Sequence, residues 1–187
     1  MVIGLTGYNA SGKGIAAQYL QRKGYRPHSL SDVLRAEAKI LGRDEKRETL
    51  IELGNALRKQ FGPGALAKRI LPRLGKKDVV DSIRNPGEIE ELRKLEGFLL
   101  IGVDAPVAVR FKRAVERGRA GDAATLEQFV EHENLENLKD PANQQLGECL
   151  KLADAVLVND GRPEDLFAKI DALLESKKEK KWQKNIS

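Results

Sequence analysis

Residues 7 to 14 read Gly7-Tyr8-Asn9-Ala10-Ser11-Gly12-Lys13-Gly14, directly after the apolar run Val2-Ile3-Gly4-Leu5-Thr6. An apolar strand, then GxxxxGK, then a helix-forming stretch is the order of a phosphate-binding loop. Glycines at 7 and 12 let the backbone fold tightly. Its N–H groups can then converge on a phosphate, helped by the N-terminus of the following helix. Lys13 would meet the outer phosphates of a nucleoside triphosphate as a compact cation. Asn9, Ala10 and Ser11 complete the candidate loop, and Ile15 follows it into the helix. Gly14 stands where Ser or Thr commonly meets magnesium. The residues predict a nucleoside triphosphate site.

Such a loop needs a scaffold. Apolar runs of strand length at residues 2–6, 79–83, 98–103 and 155–158, with a weaker one at 25–30, alternate with segments of helical period. The runs are continuously apolar, as in a parallel sheet covered on both faces. Spacings such as Leu50/Leu53/Leu57/Phe61 and Leu166/Ile170/Leu173 mark buried helix stripes. Pro86, Pro106 and Pro163 sit where the first turn of a helix tolerates proline. The pattern predicts an α/β fold: a doubly wound parallel five-stranded sheet flanked by helices.

Ligands in such sheets gather at the carboxyl ends of the strands. Beside the loop, this singles out Ser31 and Asp32, Asp81 to Arg84, Asp104 and Asn159. Two stretches are too long for single crossovers. Residues 31–76 carry Arg35 and Arg58 and fit three short helices. Residues 110–153 open with Arg110, Arg113 and Arg117, which share one helix face by spacing. Gly118, Arg119 and Gly121 follow, and the glycines read as hinges of a mobile segment. Asp32 reads more readily as the cap of a helix over 33–41 than as a catalytic group. Arg35 and Arg58 have a plainer reading as surface arginines, Asp81 as a turn cap, and the arginine stripe as a solvated face.

At 187 residues the chain suits one domain, placed at residues 1–176, with a basic tail at 177–187. It has no run of about 18 apolar residues and no leader pattern, which predicts no membrane span and a cytoplasmic setting. Cys149 is the single cysteine, which excludes an internal disulfide, and with two histidines it cannot build a zinc cluster. Much of the net charge of +5 sits in the tail, which reads as a solvated helix end. The remaining arginines suit a small anionic substrate better than a nucleic acid. The oligomeric state stays open.

With these pieces in place, the chain resembles the P-loop nucleoside monophosphate kinases, such as adenylate kinase, which share GKG at the end of the loop. The resemblance implies ATP as donor and Mg2+ held largely through water, so that Gly14 is a family mark. Ser31-Asp32-Val33-Leu34-Arg35 is similar to the segment opening the monophosphate-binding helices, whose arginine grips the acceptor phosphate. Asp81-Ser82-Ile83-Arg84 stands where the family has its strand-end acid and second clamping arginine. Arg113, Arg117 and Arg119 match the arginine-rich start of a lid, and Asn159 falls where backbone surrounds the donor base. With Gly54-Asn55-Ala56-Leu57-Arg58 and Asn85-Pro86-Gly87-Glu88 added, the pattern is most similar to the dephospho-CoA-kinase-like and deoxynucleoside-monophosphate-kinase-like group. Ile15 and the short Asp81-to-Arg84 spacing depart from adenylate kinase.

Phosphoryl transfer asks mainly for alignment and charge neutralisation. The expected roles are Lys13 on the donor phosphates, Arg35, Arg58 and Arg84 on the acceptor phosphate, and Arg113 and Arg117 on the transferred group. Asp81 would position hydrated Mg2+ or accept a hydroxyl proton. The expected activity is transfer from ATP to a (deoxy)nucleoside monophosphate. The alternatives are a kinase acting on a hydroxyl of a small metabolite such as dephospho-CoA, and a nucleotide-binding regulator or nucleic-acid-associated ATPase.

Overall fold

The computed structural model describes residues 1–118, 123–137 and 140–184, without the side chains of 136 and 180–184. Arg119 and Gly121 lie outside the described residues. The strands are β1 (Ile3–Thr6), β2 (Arg26–Ser29), β3 (Asp78–Ile83), β4 (Leu99–Asp104) and β5 (Ala155–Val158). They form one sheet in the order β2-β3-β1-β4-β5, with every neighbouring pair parallel. The expected five-stranded parallel sheet is therefore present. The first strand is central, so the loop that follows it opens in the middle of the sheet's carboxyl edge.

The helices are α1 (Lys13–Arg22), α2 (Leu30–Ile40), α3 (Arg47–Phe61), α4 (Ala65–Ile70), α5 (Pro86–Leu92), α6 (Val107–Arg117), α7 (Leu126–Glu136), α8 (Leu146–Lys151) and α9 (Pro163–Lys184). Side chains alternate along the strands, and both faces are apolar. On one face Ile3, Leu5, Leu99, Ile101 and Val103 pack with Ala16 and Leu20 of α1 and Leu166 and Ile170 of α9. On the other, Val2, Val80, Ile83 and Leu100 meet Leu34, Leu53, Leu57, Leu66, Ile89 and Cys149. The three helices expected between residues 31 and 76 are α2, α3 and α4, joined to a short 3-10 turn over Leu71–Arg73. Each large apolar side chain so buried is worth about 2 kcal/mol, and this packing on two faces holds the strand ends along one edge.

One expected boundary is corrected. The helix assigned to 33–41 begins three residues earlier, at Leu30. Its cap is Ser29, whose hydroxyl accepts from Ser31 N, and Asp32 lies inside the first turn. Ser29 and Asp32 are spaced as a capping pair, so the signal was in the sequence but assigned to the wrong member. No helix among the described residues is long and apolar enough to cross a membrane.

Candidate functional site

The loop between β1 and α1 is curled by left-handed backbone at Gly7 (φ +137°), Ala10 (φ +58°) and Gly12 (φ +102°). Two of these positions also need the absence of a side chain. A Cβ on Gly7 would fall 2.0 Å from the Val103 carbonyl, and one on Gly12 would fall 2.1 Å from Asn159 Nδ2. Asn159, immediately after β5, explains the second contact: its Nδ2 donates to the Ser11 carbonyl at 2.8 Å and pins the loop against the sheet edge. Ser11 Oγ is buried and has no hydrogen-bond partner among the described residues. Gly14 is open, with nothing within 4 Å of its would-be Cβ, and the Ile15 side chain is exposed.

Lys13, the first residue of α1, folds back over the loop. Its Nζ donates to the carbonyls of Gly7 and Tyr8, 2.6 Å each. Burial lowers its pKa to about 7, and the nearby Arg84 adds to that, whereas Asp81 works in the opposite direction. Curled amides and a desolvated cation fit the phosphates of a nucleotide.

Helix α6 presents its three arginines in two ways. Arg113 Nη1 donates to the Asn159 carbonyl at 2.8 Å, and both terminal nitrogens of Arg117 stand 3.4 Å from Asn9 Oδ1. The Arg117 guanidinium is thus at the loop, and that of Arg113 at the residue that pins it. Arg110 is buried in a different setting. It pairs with Glu133 of α7, donates to the Ala105 carbonyl at 2.9 Å, and lies 4.7 Å from the Tyr8 ring centroid. The stripe is therefore not a solvated face. Its first member ties α7 to the Tyr8 ring, Arg117 meets loop residue Asn9, and Arg113 meets the Asn159 carbonyl beside the loop.

Beside the loop opens a groove of about 490 Å³, lined by Asn9, Ser31, Arg35, Arg58, Ser82 and Arg84, with Leu34 and Leu50 as apolar wall. Asn9 belongs to both loop and groove. Arg35 is half-exposed and pairs with Asp32 at 2.8 Å, a surface contact of small energetic value. Asp32 is 70% exposed and does not line the groove. Arg58 is only 4% exposed, and its guanidinium donates through Nε and Nη2 to Glu88 Oε1 at 3.1 and 2.9 Å. Arg84 Nη1 donates to Gln144 Oε1 at 3.0 Å.

Asp81 and Ser82 sit on an irregularity. Strand β1 pairs Gly4 with Val80 but Thr6 with Ile83, so β3 carries one extra residue there. Ser82 absorbs it with φ +64°, and Asp81 Oδ1 accepts from Ser82 N at 2.6 Å. Such a bulge at a strand end re-aims side chains, and Asp81 lies near enough to the loop lysine to act on its charge. Nothing in a serine announces left-handed backbone, so the sequence carried no signal for it. Gln144 was likewise unmarked. Glu88 was marked by the Asn85-x-x-Glu88 spacing of a capping box, which α5 does adopt.

No protein-family model matches the chain. It is 34% identical over 175 residues to a UPF0200 protein from Sulfurisphaera tokodaii, covering 92% of this chain and 95% of that one. Among solved structures it is similar to TT1252 from Thermus thermophilus, with a TM-score of 0.62, 26% identity, and 94% and 97% of the two chains covered. It is also similar to shikimate kinase from Acinetobacter baumannii in complex with shikimate, with a TM-score of 0.58, 16% identity, and 94% and 93% covered. The second likeness is one of fold, and it agrees with the sheet order and the loop: the architecture is that of the P-loop kinases. The chain belongs to the UPF0200 family.

Proposed function

We propose that the chain is an ATP-dependent phosphotransferase whose acceptor is a small phosphorylated molecule, a (deoxy)nucleoside monophosphate before others. One juxtaposition supports this reading. A phosphate-binding loop and a groove holding Arg35 and Arg84 open side by side, with Asn9 common to both. Arginines that can take a phosphate in bidentate fashion suit an anionic acceptor. Bound MgATP would supply the transferable phosphoryl group. Lys13 and the loop amides hold the donor phosphates. Arg84 and Arg35 orient the acceptor, and Arg113 and Arg117 neutralise charge between the two. Asp81 would reach a magnesium ion carried on the nucleotide through water. A hydroxyl acceptor is the second reading, and Asp81 on its bulge beside Lys13 favours it as a proton acceptor.

The double substitution Arg35→Ala with Arg84→Ala separates the two. For a phosphorylated acceptor it is expected to raise acceptor KM roughly 10²-fold, with the KM for ATP nearly constant. An unchanged acceptor KM contradicts the clamp.

The lowered pKa of Lys13 makes a second expectation. The free amine is largely neutral above pH 7, and anionic phosphates beside it restore its charge. Nucleotide binding at pH 8 should therefore take up close to one proton, and affinity should fall as pH rises. Calorimetry in buffers of different ionisation enthalpy reads the uptake directly, and zero uptake contradicts the assignment. The sign for folding runs the other way. The unfolded chain binds more protons between pH 7 and the ordinary lysine value, so the stability cost of Lys13 is full below pH 7 and fades as pH rises.

A further inference from the structure

Glu88 is the most completely buried carboxylate of the site, with no exposed surface, and the expected chemistry gives it no part. Both its oxygens are fully engaged. Oε1 accepts from Nε and Nη2 of Arg58 on α3. Oε2 accepts from the backbone N–H of Arg84 at 2.9 Å and of Asn85 at 3.1 Å. The turn it grips leads straight out of the bulged end of β3, which carries Asp81 and Ser82.

The same turn is held from a third side. Asn85 Nδ2 donates to the carbonyls of Pro141 and Asn143, 2.8 Å each, and the Arg84 carbonyl accepts from Gln145 N at 2.7 Å. Gln144, next to it, takes the Arg84 guanidinium. Three segments distant in sequence therefore meet at residues 84–88: helix α3 of the acceptor side, the catalytic end of β3, and the stretch leading into α8. A buried ion pair is weak grounds for stability, because desolvation offsets its attraction. The use visible here is geometric.

Resting on the phosphorylated-acceptor reading, we propose that Glu88 is a positioning residue that fixes Arg84 for the acceptor phosphate, with Arg58 as its counter-charge. Arg58, at the groove lining but with its guanidinium committed to Glu88, then acts through that pair rather than on the acceptor. Glu88 touches neither donor nor acceptor; it sets the backbone from which Arg84 reaches. A loose backbone there is expected to cost the acceptor more than the nucleotide, since Asn159 pins the loop at residues 7–13 from its other side.

Glu88→Gln tests this. A glutamine keeps the shape but turns one hydrogen-bond donor toward other donors, either the two backbone N–H groups or the Arg58 guanidinium. With a nucleoside monophosphate and ATP, acceptor KM is expected to rise about tenfold or more, while the KM for ATP stays within about twofold. A purely structural role would lower apparent kcat through the folded fraction and leave both KM values alone. That outcome overturns the proposal. Combining Glu88→Gln with Arg84→Ala sharpens the test, because a residue acting through Arg84 adds little once Arg84 is gone. Effects that multiply overturn the proposal. Should Glu88→Gln fail to fold, Arg58→Lys keeps the charge, removes one of the two donors, and should move acceptor KM in the same direction by a smaller factor; no movement overturns the proposal. If the unmodified protein turns over no monophosphate, the parent reading falls and takes this one with it. Turnover with an unmoved acceptor KM in Glu88→Gln removes this inference alone.

Discussion

Lys13→Ala is expected to lower kcat/KM for ATP-dependent transfer by roughly 10³-fold, with most of the loss in kcat. The lysine folds across the loop, bonded to the Gly7 and Tyr8 carbonyls, and under the proposed function it would exchange them for phosphate oxygens. Its depressed pKa means that burial, with Arg84 beside it, leaves the amine short of a counter-charge that phosphates would provide. The substitution removes a desolvated cation, so folding should not suffer, and thermal stability near pH 7 is expected to hold or rise. Steady-state kinetics and a thermal melt on the same preparation check both halves. A variant that keeps wild-type turnover refutes the loop's assignment.

Arg113→Ala and Arg117→Ala are expected to cost about 10² to 10³ each in kcat while changing both KM values little. The contact with Asn9 puts Arg117 at the edge of the loop nearest the groove, and Arg113 meets the Asn159 carbonyl, beside the side chain that pins the loop. In the proposed role the two would stabilise charge that develops only in the transition state, so kcat is expected to carry the loss. Removing both should cost less than the product of the single effects, because they serve one developing charge. Lys112→Ala, on the same helix but 79% exposed at its side chain, is the control and should behave as wild type. Equal losses at 112, 113 and 117 would assign the effect to the helix and not to the two guanidinium groups.

What could be read from the chain alone follows from how local each signal is. Residues 7–14 announce themselves because strand, turn and helix are contiguous. The apolar runs announce the sheet because both faces of every inner strand are buried. The helix at α2 was legible but shifted, since Ser29 and Asp32 compete as caps and only the backbone shows which one accepts. Arg58 and Glu88 are 30 residues apart, and no local pattern links them. Arg110 has the same spacing as Arg113 and Arg117, yet Glu133 and the Tyr8 ring enclose it. Periodicity placed the three on one face and could not divide their roles. The bulge at Ser82 depends on how β1 and β3 register against each other, a property of two strands that neither carries by itself.

The most direct measurement is ADP release by the purified protein with ATP and Mg2+ against a panel of nucleoside monophosphates, deoxynucleoside monophosphates and dephospho-CoA. One or a few monophosphates are expected to accelerate ADP release far above the rate without acceptor, with one ADP per phosphorylated product. Acceleration by dephospho-CoA alone would move the acceptor from a phosphate to a hydroxyl. No acceleration by any member of the panel would contradict the reading of this chain as a small-molecule phosphotransferase.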